Sequence, residues 1–154
     1  MAAASVTITQ FWDATKDSWV TAPPTIPIGS KISVVASIQN TSATTENLSL
    51  YLVIYNPDGS VCSDYTFNYG GVIAGWYSDA EILGWANQGG VYKADAYAYV
   101  DGTLVASAIA VTIATVQAGD GGDGTKTWLD KYWWVFPVGG GLLVLAAKLS
   151  RKRK

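Results

Sequence analysis

Apolar residues recur at every second position through much of the first 116 residues. That period places alternate side chains on opposite faces of a strand. Val6–Phe11 alternates apolar residues with Thr and Gln, which predicts a first strand. Trp12 to Ser30 has no such period, and Pro23, Pro24 and Pro27 would break a ladder there. Ile32, Val34, Ala36 and Ile38 restore the pattern until Asn40-Thr41-Ser42 ends it. Leu48, Leu50, Leu52 and Ile54 repeat it, with Tyr51, Val53 and Tyr55 on the other face. Asn56-Pro57-Asp58-Gly59 is a tight turn, because Pro presets φ and Gly accepts a positive φ. Val61–Tyr69 is its return strand, Gly70, Gly71 and Gly75 interrupt, and Trp76–Trp85 supplies a further short strand.

After the turn at Gln88-Gly89-Gly90, Tyr92, Ala94, Ala96, Ala98 and Val100 share one face, with Tyr97 and Tyr99 opposite. Asp101-Gly102 between two alternating runs is a hairpin signal, and Leu104–Val116 returns. About seven strands with no helix-period segment before residue 127 predict an all-β sandwich with Greek-key connections over 1–116. Its core is expected to hold Ile32, Val34, Ile38, Leu50, Leu52 and Ile54. Ala94, Ala96, Ala98, Ala106, Ala108 and Ala110 leave little volume on the last hairpin. The facing sheet is expected to fill that space with Leu50, Leu52, Ile54 and the Trp residues.

From Gln117 the pattern changes. Residues 117–127 (QAGDGGDGTKT) read as a Gly/Asp-rich linker. Asp120 and Asp123 without a bidentate Glu make a poor Ca²⁺ loop. Tyr132–Ala147 is 16 residues without a charge. As a helix it spans about 24 Å, against about 30 Å of hydrocarbon. Trp128 and Leu129 lengthen it at one end, and a snorkelling Lys148 admits Leu149 at the other. A single transmembrane helix is therefore expected over 128–149. Trp128, Tyr132, Trp133, Trp134 and Phe136 form its aromatic end, and Leu142, Leu143, Val144 and Leu145 its aliphatic end. Pro137 suits a first helical turn, and Gly139, Gly140 and Gly141 would either let a second helix approach closely or mark a kink. The residues at 150–154, with Lys148, form a basic tail: Lys148, Arg151, Lys152, Arg153 and Lys154.

Charge sharpens this division. Only 14% of residues are charged and 49% are apolar, so part of the surface is expected to face something other than water. Residues 1–131 carry five cations and all 12 acids, a net of −7, whereas 132–154 carry five cations and no acid. An acidic body argues against specific nucleic-acid binding, and only the tail is suited to phosphates. The N-terminal MAAASVTITQ lacks a basic n-region and an apolar h-region, so no secretory signal is expected in it. The positive-inside rule puts the tail in the cytoplasm and the sandwich outside; tail-anchored insertion with a cytosolic sandwich is the alternative.

Chemistry contributes little. The chain has no His, which removes the commonest general base and metal ligand. No phosphate loop, metal cluster or nucleophile–base pair stands out, so neither catalysis nor a cofactor is expected. Asp79 and Glu81 share a strand face, an arrangement far more often solvated than catalytic. The single Cys62 reads as a small buried hydrophobe. Asn40 and Asn47 open N-x-S/T triplets in the polar connection after the second strand and are candidate glycan acceptors. Tyr51, Tyr55, Tyr97 and Tyr99, opposite the expected core faces, are the candidate contact patch.

Three segments together carry a resemblance: Ile32–Asn40 (ISVVASIQN), Leu52–Gly59 (LVIYNPDG) and Gly89–Gly102 (GGVYKADAYAYVDG). Over Gly29–Val116 the chain resembles the cell-adhesion-related domains of bacterial and archaeal surface proteins. The resemblance implies an immunoglobulin-like sandwich and no activity, and it brings no functional residues with it. In composition, the low charge, single Cys and abundant Tyr and Trp are similar to membrane-associated structural proteins of archaeal viruses.

These readings lead to an expectation of a membrane-anchored structural or binding protein, single-pass, in a virion membrane or at a cell surface. In a virion it would be a minor capsid, vertex or spike component. A cell-surface adhesin or envelope protein, or an accessory subunit of a membrane complex, is the alternative. The expected partners are lipid and coat or other structural proteins, in a homo- or hetero-oligomer.

Overall fold

The computed structural model describes residues 3–118. The expected linker beyond Ala118, the helix over 128–149 and the basic tail, with all their candidate residues and Asp120 and Asp123, lie outside the described residues. Among the latter, nine strands form two sheets. They are β1 (Ala4–Asp13), β2 (Ser18–Val20), β3 (Thr25–Pro27), β4 (Lys31–Asn40), β5 (Glu46–Tyr55), β6 (Val61–Val72), β7 (Tyr77–Trp85), β8 (Gly90–Val100) and β9 (Thr103–Gln117). The smaller sheet has the order β2-β1-β4-β7 and the larger β3-β9-β8-β5-β6.

The chain changes sheets five times, between β2 and β3, β3 and β4, β4 and β5, β6 and β7, and β7 and β8. β5 and β8 thereby become neighbours although two strands separate them in sequence. This is a two-sheet β-sandwich whose strand order is consistent with the immunoglobulin-like arrangement. One detail strengthens that description. Tyr92, near the start of β8, is fully buried, and its hydroxyl accepts the Gln88 N–H at 3.0 Å. A buried Tyr that closes back on the preceding corner is a hallmark of such sandwiches.

The two hairpin turns follow from their sequences. Asp101 and Gly102 have φ of 48° and 78°, the paired positive values of a two-residue turn matched to strand twist. At the Asn56–Gly59 turn, Gly59 N–H donates to the Asn56 carbonyl at 2.9 Å, and Asp58 accepts the Ser60 N–H at 2.9 Å. Gly84 answers a different need. A Cβ there would lie 2.7 Å from Cys62 Sγ, so the glycine admits β6 against β7.

The expected core residues Ile32, Val34, Ile38, Leu50, Leu52 and Ile54 are all buried, joined by Phe11, Ile26, Leu48, Ile113 and Val116. Three expectations need correction. First, the segment from Trp12 to Ser30 is not irregular throughout. It forms β2, antiparallel to β1, and β3, parallel to β9. Pro27 sits at the end of an edge strand, where its missing N–H costs little, and Ile26 is buried.

Second, Leu50, Leu52 and Ile54 do not face the alanines across the core. They stand beside them in the same sheet, Leu50 opposite Ala98, Leu52 opposite Ala96 and Ile54 opposite Ala94. The sheet across the core supplies Phe11, Ile32, Val34, Ile38 and Ile82. The tryptophans among the described residues stay out of the centre: Trp12, Trp19 and Trp76 are half-buried and Trp85 is exposed. Third, Ala110 does not lie on the inner face. It is exposed, with a φ of 54°, where β9 bulges past β8. β9 also continues through Gln117, one residue into the segment read as linker.

Candidate functional site

The period-two register puts a second set of side chains on the outward face of the β5–β8 ladder. Ser49 pairs with Tyr99, Tyr51 with Tyr97, Val53 with Asp95 and Tyr55 with Lys93. The four tyrosines expected as a contact patch are thus brought together on one face, each half-buried. The Tyr51 and Tyr97 rings stack with centroids 6.1 Å apart and planes at 21°. Offset stacking at this separation is favourable for aromatic pairs.

Carboxylates hold the rings in place. The Tyr51 hydroxyl donates to Asp64 Oδ2 of β6 at 3.1 Å, and the Tyr97 hydroxyl donates to Asp95 Oδ2 at 2.7 Å. Asp95 Oδ1 accepts the Ala110 N–H at 2.7 Å, so the β9 bulge and the tyrosine face are fastened to one carboxylate. The hydrogen bond to Asp95, with partial desolvation, pushes the Tyr97 phenol up to about 12. Partial desolvation raises Tyr51, and the bond to Asp64 adds to it. Tyr55 is raised by desolvation and then by the Asp95 charge. Tyr97 is therefore favoured as a neutral donor chiefly by the Asp95 carboxylate, which would repel a phenolate, whereas Tyr51 and Tyr55 are raised first by desolvation.

Val53 shows how tightly this face is closed. It points away from the core yet is fully buried, flanked in the sheet by Asp95 of β8 and Asp64 of β6 and along β5 by Tyr51 and Tyr55. A floor of Val53, walls of stacked Tyr and anchoring carboxylates make a rigid aromatic surface of acidic character. Such a surface suits contact with another molecule, since little side-chain freedom remains to be lost.

The candidate glycan acceptors separate cleanly. Asn40 ends β4 and is fully buried. Its Nδ2 donates to the carbonyls of Thr44 at 2.9 Å, Val72 at 3.0 Å and Ile73 at 3.2 Å, and its Oδ1 accepts the Ser42 N–H at 2.9 Å. This amide ties the β4–β5 and β6–β7 connections together, so the expectation of Asn40 as a glycan acceptor is corrected: its nitrogen is neither accessible nor unpartnered. Asn47 lies in β5 rather than in the connection; it is exposed, and its Nδ2 donates to Asp101 Oδ1 at 2.7 Å.

Asp79 and Glu81 do share a face, but each is occupied. Asp79 accepts the Ser37 hydroxyl, and Glu81 accepts the Ser33 hydroxyl at 2.6 Å and pairs with Lys31 at 3.5 Å. Lys31 Nζ also lies 4.7 Å from the Trp12 ring centroid. Cys62 is half-buried, and desolvation raises its thiol, as befits packing rather than reactivity. Among the described residues no group of three or more Cys, Asp or Glu is placed to hold a metal. Nor is any helix there long and apolar enough to cross a membrane.

Sequence reasoning placed the tyrosines together but missed Asp95 and Asp64 as their anchors. The signal was present for Asp95, an acid at an i, i+2 spacing before Tyr97 on an otherwise aromatic face. Asp64 required knowledge of the β5–β6 register.

No protein-family model matches the chain, and no curated protein does. Solved structures of similar architecture exist. A CARDB domain of Pyrococcus furiosus, solved in complex with di-metal ions, is 12% identical over 76% of this chain and 88% of its own, with a TM-score of 0.45. A Bacteroides uniformis β-glucuronidase is 14% identical over 69% of this chain and 12% of its own, with a TM-score of 0.46. The alkylpurine DNA glycosylase of Pseudomonas fluorescens, bound to DNA with an abasic-site analogue, is 14% identical over 76% of this chain and 31% of its own, with a TM-score of 0.43. The chain spans only about a tenth of the first β-glucuronidase it matches. At these scores the likenesses carry no argument about activity or partners, and the fold rests on strand order and register.

Proposed function

We propose that this chain is a non-catalytic, membrane-anchored structural protein that works by binding through the outer face of its larger sheet. The observation behind this reading is the stacked Tyr51–Tyr97 pair fixed by Asp64 and Asp95. A surface built this rigidly on the outside of a sandwich is suited to a partner whose cationic or polar groups meet its carboxylates. The uncharged stretch Tyr132–Ala147, bracketed by Trp128 and the basic residues from Lys148 to Lys154, supports a lipid anchor. The low charge content and Tyr/Trp richness favour a membrane-containing virion as the setting, with the sandwich directed to the coat and the tail to the interior.

The test places a photoreactive phenylalanine analogue at Tyr99 in the full chain, within its native particle or membrane. A discrete crosslink to a coat or envelope protein is the expected result. Absence of any crosslinked partner, with the chain extracted as a monomer, would overturn the reading. The anchor has its own test: deletion of 128–149 should move the chain from the membrane fraction to the soluble one, and retention there would refute it.

A further inference from the structure

Each sheet ends in one long open strand on the same flank of the sandwich. β6 closes the larger sheet and β7 the smaller. Cys62 lies against Gly84, and the Tyr69 and Trp76 rings are 5.0 Å apart, so the two edges lie side by side. Exposed apolar side chains gather there: Val61, Tyr65, Ile73, Tyr77 and Leu83 range from 50% to 70% exposed. The opposite edges are short, with β2 and β3 of three residues each.

An unpaired strand presents a row of N–H and C=O groups, and proteins usually guard it with Lys, Pro or inward charges. β7 carries Asp79 and Glu81. β6, at 12 residues, has no Lys and no Pro and a single acid, Asp64. Register shifts interrupt its pairing with β5 around Cys62 and Tyr69, which leaves Ser63–Asn68 as a regular stretch. Among the described residues Ser63–Asn68 is thus a regular run on a long edge whose guards are only Asp64 and the bulges at its two ends.

We propose that β6 is a homotypic interface, pairing antiparallel with β6 of a second copy about a two-fold axis at Thr66. This inference does not rest on the proposed role of the tyrosine face, although the edge adjoins it through Asp64 and Thr66. The choice of a second copy rests on the side chains that such an axis brings together. Asp64 meets Asn68 of the other copy rather than its own equivalent, so no like charges oppose. Tyr65 meets Phe67 of the other copy, and each copy already presents these two rings edge-to-face at 4.8 Å. Two such edge-to-face pairs would merge into one aromatic cluster. The result is a closed, isologous dimer with one continuous sheet of ten strands, in which neither copy keeps an open β6 edge. A self-pairing β7 could not do this about Ala80, where Asp79 would meet Glu81.

The experiment uses the full chain in mild detergent, with mass measured by light scattering. The wild type is expected at twice the chain mass. Thr66→Lys and Thr66→Asp each place like charges across the axis and should shift the protein to monomer, raising the dimer dissociation constant at least tenfold. Mixing the two variants should restore the dimer. Thr66 is exposed, and a retained β-type circular-dichroism spectrum with a cooperative melt in each variant confirms that the fold survives. A monomeric wild type, a dimer indifferent to both substitutions, or a mixture that stays monomeric would each overturn the proposal. The second outcome would assign association to another segment of the chain.

Discussion

The two faces of the β5–β8 ladder are built from the same two strands and obey different rules. On the inner face Leu50, Leu52 and Ile54 stand beside Ala98, Ala96 and Ala94, and every one is buried. Large-beside-small pairing keeps that layer even, so the smaller sheet can lie flat upon it. On the outer face Tyr51, Tyr55, Tyr97 and Tyr99 are all large and only half-buried, and carboxylates fix the central pair, Tyr51 and Tyr97. Volume specifies one face and directed hydrogen bonds the other. The inner face should therefore govern stability, and the outer face should govern shape.

The largest expected effect is on the inner face. Leu52→Asp buries a charge with no partner and should abolish folding, seen as loss of β-type circular dichroism. Leu52→Ala should cost about 2–5 kcal/mol in denaturant midpoint analysis, because the neighbouring Ala96 cannot fill the gap. A cost below about 1 kcal/mol would break the comparison.

On the outer face, Asp95→Ala removes the acceptor of the Tyr97 hydroxyl and of the Ala110 N–H. It should cost about 1–3 kcal/mol, and the Tyr97 phenol should titrate well below its present value of about 12. Denaturant midpoint analysis reads the first effect and tyrosinate absorbance during a pH titration the second, each against the wild type. Tyr97→Phe leaves the ring stack and removes one hydroxyl, so about 0.5–1.5 kcal/mol is expected. If it costs as much as Leu52→Ala, the outer face is a second core rather than a shaped surface.

The pH dependence follows from the same hydrogen bonds. The folded-state pKa of Tyr97 is raised from 10.0 to about 12, so its stabilising effect is complete below pH 10 and is lost as pH rises through about 12. Thermal melts across that window should fall, and should fall less in Tyr97→Phe. On the acid side a loss should come from outside both faces. Asp13 is held down from 3.8 to about 2, chiefly by the Thr15 hydroxyl and also by Lys16 at 3.1 Å. Its contribution is present above pH 3.8 and lost as pH falls toward 2. The Asp13→Asn variant should remove that small acid-limb dependence and leave the alkaline limb unchanged.

Much of this architecture was legible in the sequence, for a local reason. Period two needs only neighbouring residues, so the runs at Ile32–Ile38, Leu48–Ile54 and Tyr92–Val100 revealed strands, faces and core before any pairing was known. Asp101-Gly102 and Asn56–Gly59 revealed their turns because φ preference is a property of single residues. What escaped depended on residues far apart. β2 and β3 exist because β1 and β9 offer them a ladder, which overrides their irregular pattern and their prolines. Asn40 looked like an exposed acceptor until two distant connections closed over its amide. The anchoring of Tyr51 by Asp64 needed the β5–β6 register, and the hold of Asp95 on Ala110 needed the β9 bulge. Alternation says that a strand has two faces. Only the packing of one sheet on the other decides which face is covered, which strands are neighbours, and which long edges, here β6 and β7, are left open.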